Sequence, residues 1–304
     1  MLNNLKLLII SWLFLLIAPG TVQSDADKGP SMKENYASLL TIYNAISGQP
    51  ERGIQSRKFY LQNFKPAIAP AALQKLTISD LGYLFEANDT VIFHNPDADY
   101  IDDMQKILHE LESREAIENR HLAALQEAYI ASCQFEKAKR MVDQKNVEYL
   151  QSVPEIHRLN GLEEGQSTIW VFEGGTLKQR SFSIPKKGPF ILVASNPLCG
   201  FCRAAAKAIS KDVRWSEIFK KHSYWITSGS GKLHTEHFER WSKSYPQLPV
   251  ALGGVTPPFP EFDSSLVPMF YFFLNGELKK SAPGWSPKKR HPHMDEYLAA
   301  IGFK

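Results

Sequence analysis

At 304 residues and a formal charge of +3, with 35 Lys and Arg against 32 Asp and Glu, the chain lacks the charge excess that a nucleic acid or other polyanion demands. Three cysteines are too few for a disulfide-stapled scaffold, and the length allows two domains.

Residues 1–24 read as a targeting segment. Lys6 gives a short basic start, Leu7 to Ala18 is an almost unbroken apolar run, and Val22 and Ser24 stand at cleavage-site positions before Asp25. The run is too short to span a bilayer comfortably, so a cleaved signal peptide is expected. Export, to the periplasm in a bacterium, implies an oxidising compartment.

Residues 25–150 predict an all-α domain. Tyr36, Leu39, Leu40 and Tyr43 form one apolar stripe at helical spacing. Ile101, Met104, Ile107, Leu108 and Leu111 form another, with Asp97 or Asp99 as N-cap. Leu122, Leu125, Tyr129, Phe135 and Ala138 fit one tetratricopeptide-type helix pair with Cys133 at its turn, and fit an ordinary helical hairpin equally well. Cys133 is expected as a small buried residue on a helix. This half holds no catalytic cluster, so its expected work is to bind a partner or to pack on the second domain. Asn88-Asp89-Thr90 spells a glycosylation sequon, which has meaning only in a eukaryotic secretory pathway.

Residues 151–165, with Pro154 and two glycines, read as a linker, and the second domain is expected over 166–304. Two β-rich runs, Ser167–Phe172 and Gln179–Ile184, flank Gly174-Gly175 and predict a hairpin. The apolar run Pro189–Ser195 predicts a buried strand, and Arg203–Ser210 predicts a helix. Between them lies Asn196-Pro197-Leu198-Cys199-Gly200-Phe201-Cys202. A cysteine at a helix N-terminus faces unpaired backbone N–H groups, which favour a thiolate and lower a pKa from about 8.5 to roughly 3.5–7.5. A second cysteine one turn on is near enough to close a small disulfide.

Zinc binding and a structural disulfide are the competing readings. Zinc needs two further ligands, which His234 and His237 would have to supply. A four-residue ring removes little loop entropy, so it suits a labile bond better than a staple. Redox exchange is the favoured chemistry.

Tyr224–Thr227 predicts a short strand, and residues 234–244 a helix with Phe238 and Trp241 on one face. Ser228-Gly229-Ser230-Gly231-Lys232 lacks the spacing of a phosphate loop and reads as a turn. The basic run Lys288-Lys289-Arg290-His291 is too short to suggest nucleic acid and reads as a solvated loop. Val267-Pro268 opens an apolar strand that ends at Asn275-Gly276, a hairpin turn before a strand over Glu277–Ala282. A last helix is expected from His293 to Ile301.

Taken together, these residues resemble the thioredoxin-like family of thiol–disulfide oxidoreductases. Cys199-Gly200-Phe201-Cys202 matches the family's CxxC, Val267-Pro268 its cis-proline, Asn275-Gly276 its terminal hairpin and Gly284 a glycine before its last helix. The preceding hairpin is similar to that of the exported TlpA/ResA-like branch. The resemblance implies an α/β thioredoxin-like domain, a mixed sheet flanked by helices, over about residues 165–304. It also implies that Cys199 attacks, that Cys202 resolves, and that Pro268 lies beside the pair. Gly200, Phe201 and Val267 would contact substrate. The implied partners are protein thiols and disulfides with a membrane or soluble electron donor. No cofactor or metal is implied, nor any nucleic acid.

The sequence departs from the family in three places. Leu198 stands where a tryptophan is usual, Phe201 where proline or histidine is usual, and Val193 where thioredoxins carry a buried acid. Glu261 or Asp263 would have to substitute for that acid. The alternative function is a non-catalytic binding or redox-sensing module, or a metal chaperone using His291 or His293.

Overall fold

The computed structural model describes residues 29–46, 49–145, 149–163, 165–227, 231–263, 266–286 and 293–304. The expected signal peptide, the basic run around Lys289, His291 and the glycine turn at 228–230 lie outside the described residues. Among the described residues, no helix is long and apolar enough to cross a membrane.

The first half is helical. It comprises α1 (Met32–Ala45), α2 (Gln49–Asn63), a 3₁₀ turn (Lys65–Ile68), α3 (Pro70–Leu73), α4 (Ile78–His94), α5 (Ala98–Ser113), α6 (Asn119–Ala131) and α7 (Phe135–Lys145). Local chemistry explains several boundaries. Ser31 with Glu34, and Thr77 with Asp80, form capping boxes that satisfy first-turn N–H groups of α1 and α4. Asp97 is the N-cap of α5, and the whole stripe Ile101, Met104, Ile107, Leu108 and Leu111 is buried. In α1 only Leu39 of the expected stripe is fully covered.

A polar cluster lies inside this half. The buried Asp103 carboxylate accepts from Lys65 Nζ at 2.6 Å and from Tyr60 Oη at 3.3 Å, and Asn88 Nδ2 donates to Tyr60 Oη at 2.9 Å. Asn88 therefore sits in the core of α4 with its amide nitrogen engaged, and the sequon is not a surface acceptor in the folded chain. Its neighbour Asp89 is strained electrostatically. Burial first, and then the charges of Glu86 and Glu127, push its carboxyl up to about 6.

The folded chain thus binds this proton more tightly than the unfolded chain. The stabilisation is complete below the unfolded carboxylate range near 4 and is lost as pH rises through about 6. Asp89→Asn is expected to stabilise the protein by about 1–2 kcal/mol at pH 7.5, allowing for partial solvent screening, and to change little at pH 4. Thermal melts of both chains at the two pH values check this; an equal effect at both would remove the titration of Asp89 as its cause.

α6 and α7 form the expected helical hairpin, with Leu125, Tyr129, Phe135 and Ala138 buried. Cys133 lies at the turn between them, as the helix-pair pattern implies, and not on a helix. It sits in the turn with φ +58°, a left-handed position, and its thiol meets Gly253 O at 3.6 Å.

The second half is a mixed sheet with helices. Its elements are β1 (Glu155–His157), β2 (Thr168–Glu173), β3 (Thr176–Ser181), β4 (Pro189–Ala194), α8 (Gly200–Lys211), α9 (Val213–His222), β5 (Ser223–Thr227), α10 (Thr235–Ser244), β6 (Val250–Gly253), β7 (Met269–Leu274), β8 (Glu277–Pro283) and α11 (Met294–Ala300). Among the described residues the sheet has eight strands in the order β1-β3-β2-β6-β5-β4-β7-β8. β4, β5 and β6 run parallel, while β7 is antiparallel to β4 and β8 antiparallel to β7. Both two-residue turns, Gly174-Gly175 and Asn275-Gly276, have positive φ at each position, the geometry that matches the twist of a tight hairpin.

Two strands depart from the sequence expectation. The stretch 151–165, read as a linker, contains β1, which pairs with β3. β6 was not anticipated, and it joins the β2–β3 hairpin to the parallel strands. Four residues between Pro249 and Gly254 are too few to show a period, so only pairing with β5 and β2 makes them a strand.

The sheet's two faces are covered differently. Val193, Trp225, Phe270 and Phe272 face α8, α9, α10 and α11, which contribute Cys202, Ala205, Ile209, Phe219, Trp241 and Leu298. Leu192, Ala194, Ile226, Tyr271 and Phe273 form the other face, covered by Phe182, Ile184, Phe259 and Phe262 from irregular segments. The helix-side core continues without a break into the first half, where Phe135 of α7 meets Trp170 of β2 edge-on at 4.8 Å.

Candidate functional site

The CxxC segment lies where β4 leaves the centre of the sheet. Asn196 turns the chain: its Oδ1 accepts from Leu198 N–H at 2.8 Å, and its carbonyl accepts from Cys199 N–H at 2.9 Å. Cys199 is then the N-cap of α8, with extended φ −71° and ψ 123°, and its carbonyl accepts the first helical bond from Arg203 N–H at 3.1 Å. Its side chain caps no backbone group, which leaves the thiol at the helix start. Helical spacing carries Cys202 round to the sheet-facing side with Ala205, Ala206 and Ile209.

The two sulfurs have different surroundings. Cys199 is half-buried and donates to Val267 O at 3.7 Å; Cys202 is 0 % exposed and accepts from Asn196 N–H at 3.4 Å. Burial pushes the Cys202 thiol far above its ordinary range, and the Asn196 N–H offsets part of this; Cys199 raises it further, and Arg203 lowers it.

Val267–Pro268 is cis, and Pro268 O accepts from Gly284 N–H at 2.7 Å. The fold thus brings Cys199, Cys202, Val267 and Pro268 together from β4, α8 and the start of β7. Gly200 and Phe201 lie in the first turn of α8 on the solvent side. A Cβ at Gly200 would meet nothing within 4 Å, so that glycine is not required for space. Phe201 and Leu198, on either side of Cys199 in the chain, are 53 % and 40 % exposed.

A further residue that the sequence did not single out is Arg203. Its Nη1 donates to Pro197 O at 3.0 Å and to Leu198 O at 2.7 Å, and so ties down the turn that presents Cys199. The reverse holds for the acid substitutes. Val193 is fully buried opposite Phe270 and Trp225, and Asp263 is tied through its backbone to Tyr271 Oη at 2.7 Å, on the sheet face away from Cys202.

The histidine half of a zinc site does not form on the CxxC. His234 is the N-cap of α10 with φ +43°, and His237 stands edge-on to it at 5.8 Å, across a narrow crevice from Asn196, Pro197 and Leu198. Among the described residues, no three or more His, Cys, Asp and Glu side chains converge to hold a metal ion. His293 caps α11, where it pairs with Glu296 at 3.3 Å. Cys133 is remote from exchange chemistry, since burial pushes its thiol up to about 12.

No protein-family model matches this chain. No curated protein matches it either. Among solved structures, a thioredoxin-like protein from Bacteroides caccae ATCC 43185 is similar with a TM-score of 0.31 and 11 % identity, over 98 % of this chain and 99 % of that one. At that level of similarity, any functional reading has to come from this chain's own geometry.

Proposed function

We propose that the chain is an exported, thioredoxin-like thiol–disulfide oxidoreductase that acts on protein substrates through Cys199 and Cys202. The observation that carries this reading is the asymmetry of the pair: one thiol accessible at the start of α8, the other buried one helical turn behind it. A metal site gains nothing from that arrangement, whereas sequential exchange requires it.

In the reducing direction, the Cys199 thiolate attacks one sulfur of a substrate disulfide. A Cys199–substrate bond forms, the substrate S–S bond breaks, and the other substrate sulfur leaves as a thiolate that takes up a proton. Cys202 then attacks the Cys199 sulfur, its proton passing to the departing substrate thiolate. The products are a Cys199–Cys202 disulfide and a dithiol substrate, two electrons having moved from protein to substrate. Disulfide formation is the same sequence reversed. Cys202 can attack only once the Cys199 sulfur is part of the mixed disulfide, and burial, which favours its thiol form, makes the departing substrate thiolate the acceptor of its proton.

Val267 offers its carbonyl beside Cys199, and Pro268 brings no N–H into that contact, so a substrate strand can lie alongside the pair. Gly200 and Phe201 complete the contact surface. The helical half supplies partner contact, and an electron donor or acceptor of the export compartment renews the pair.

Equilibration in glutathione or dithiothreitol buffers, read by iodoacetamide labelling, tests this. A single two-electron couple is expected, and in the reduced protein Cys199 should label while Cys202 and Cys133 stay protected under native conditions. A potential near −270 mV would mean a reductase and one near −180 to −120 mV an isomerase or oxidant, as for the reference proteins of those classes. Absence of any reversible couple would sink the oxidoreductase reading in favour of a non-catalytic binding module.

A further inference from the structure

We propose that the cleft between the helical half and the start of α10 is a second subsite for the polypeptide chain of the disulfide partner, which reaches it across Pro197 and Leu198; this rests on the oxidoreductase reading above. The cleft encloses about 300 Å³, at the small end of binding sites. α6 gives it one wall, with Gln126 and Glu127. Tyr149 and Ser152 line it from the segment after α7, and Lys232, His234, Thr235 and Glu236 from the start of α10.

The walls are fixed to each other. Gln126 Nε2 donates to Gln151 O at 2.8 Å, and Gln151 N–H returns a bond to Gln126 Oε1 at 2.9 Å. The Gln151 side chain reaches on to the opposite wall, donating to Gly231 O at 2.8 Å and accepting from Leu233 N–H at 3.0 Å. Gly231 presses so closely on α6 that a Cβ there would lie 2.9 Å from Glu127 Cβ. A cleft held this way is formed before anything binds, so little ordering opposes occupancy.

The lining suits a hydrogen-bonding chain without negative charge. Lys232 and Glu127 lie 3.5 Å apart and offset each other, and Glu236 stands 3.9 Å from His234, so the hydroxyls of Tyr149, Ser152 and Thr235 and the Glu236 carboxylate are there to meet amide N–H groups. A phosphate or other small anion would be repelled by the second carboxylate, Glu236, which Lys232 does not offset.

The cleft also neighbours the segment that leads into Cys199, through two lining residues it shares with a second, smaller space. Lys232 and His234 wall the narrow crevice whose other side is Asn196, Pro197 and Leu198, and the Asn196 N–H lies on Cys202. Thr227, only 5 % exposed, lines the crevice too, and its hydroxyl has no partner among the described residues. The crevice is too tight to hold a chain, so a polypeptide whose cysteine is bonded to Cys199 would pass over exposed Leu198 and His234 to enter the cleft, a course that a small thiol is too short to follow.

Glutathione-capped cysteine peptides of increasing length, built from Ser, Asn and Ala around the cysteine and extended on either side, test the subsite against oxidised glutathione itself. The wild-type chain should gain about tenfold in kcat/KM, equivalent to about 1.4 kcal/mol, once a peptide is long enough to enter the cleft. Ser152→Trp, which fills the cleft, should lose that gain and keep its turnover of oxidised glutathione. No length dependence, or a gain that survives in Ser152→Trp, would overturn the proposal. If Ser152→Trp also lost its glutathione turnover through misfolding, Tyr149→Ala would decide by the same comparison. Failure of the wild type to turn over oxidised glutathione at all would instead remove the oxidoreductase reading beneath it.

Discussion

Cys199→Ser is expected to lower disulfide-exchange turnover by about 10³-fold or more, because a serine hydroxyl is not ionised near neutral pH and cannot replace a thiolate. Cys202→Ala should behave differently. Attack by Cys199 remains, resolution is lost, and the mixed disulfide accumulates as a covalent adduct that dithiothreitol releases. The asymmetry in burial makes the direction of this pair of outcomes specific, since the fully covered Cys202 cannot reach a protein disulfide and Cys199 can. Removing the Cys202 sulfur from a packed site costs about 1 kcal/mol, too little to unfold the chain, so the trapped species should be recoverable. Non-reducing gels with mass spectrometry of the adducts read the result. Trapping through Cys202 in a Cys199→Ala chain, or full turnover in Cys199→Ser, would invert or remove the assignment.

Trp170→Ala is expected to destabilise the protein by about 3–5 kcal/mol and to lower Tm by roughly 6–15 °C. Trp170 is buried in β2, with its ring edge-on to Phe135 of α7 and the Arg158 guanidinium 5.2 Å from its centroid. Arg158 also donates to Cys133 O at 3.2 Å and pairs with Glu136, so one side chain in the sheet half and its immediate cover tie down the α6–α7 hairpin. The loss should therefore be felt in both halves. Every tryptophan after Trp12 lies at position 170 or later, so fluorescence reports the sheet half, while far-UV circular dichroism reports mainly the helices. Coincident melts that shift together are expected. Two separate transitions, with only the fluorescent one displaced, would mean that the halves fold independently and that the shared core is a weak contact.

Much of this arrangement follows from local pattern. The stripe in α5 shows in sequence because its apolar residues repeat at the helical period, and Asn275-Gly276 shows because only residues tolerant of positive φ fit a two-residue hairpin turn. The CxxC is legible for the same reason: an apolar run, a turn and a strong helix former in direct succession place Cys199 at a helix start without reference to the rest of the chain.

What the tertiary structure alone decided has a common cause, which is contact between residues far apart in sequence. Cys133 reads both as a helical core residue and as the turn of a helix pair, and the structure takes the turn, in a left-handed position whose thiol meets Gly253 O more than a hundred residues away. Asn88 carries a sequon whose meaning vanished once α4 was packed against Tyr60 and Tyr100. β6 exists only through its partners β2 and β5, and Gln151, inside a stretch that reads as linker, hydrogen-bonds to both halves. The sequence by itself determined which residues open a helix, close a turn or present a thiol, because those preferences act over a few neighbours. The burial of Cys202, the crevice beside Asn196 and the cleft next to it were decided by tertiary structure, because desolvation and cavity shape belong to surfaces assembled from residues far apart in the chain.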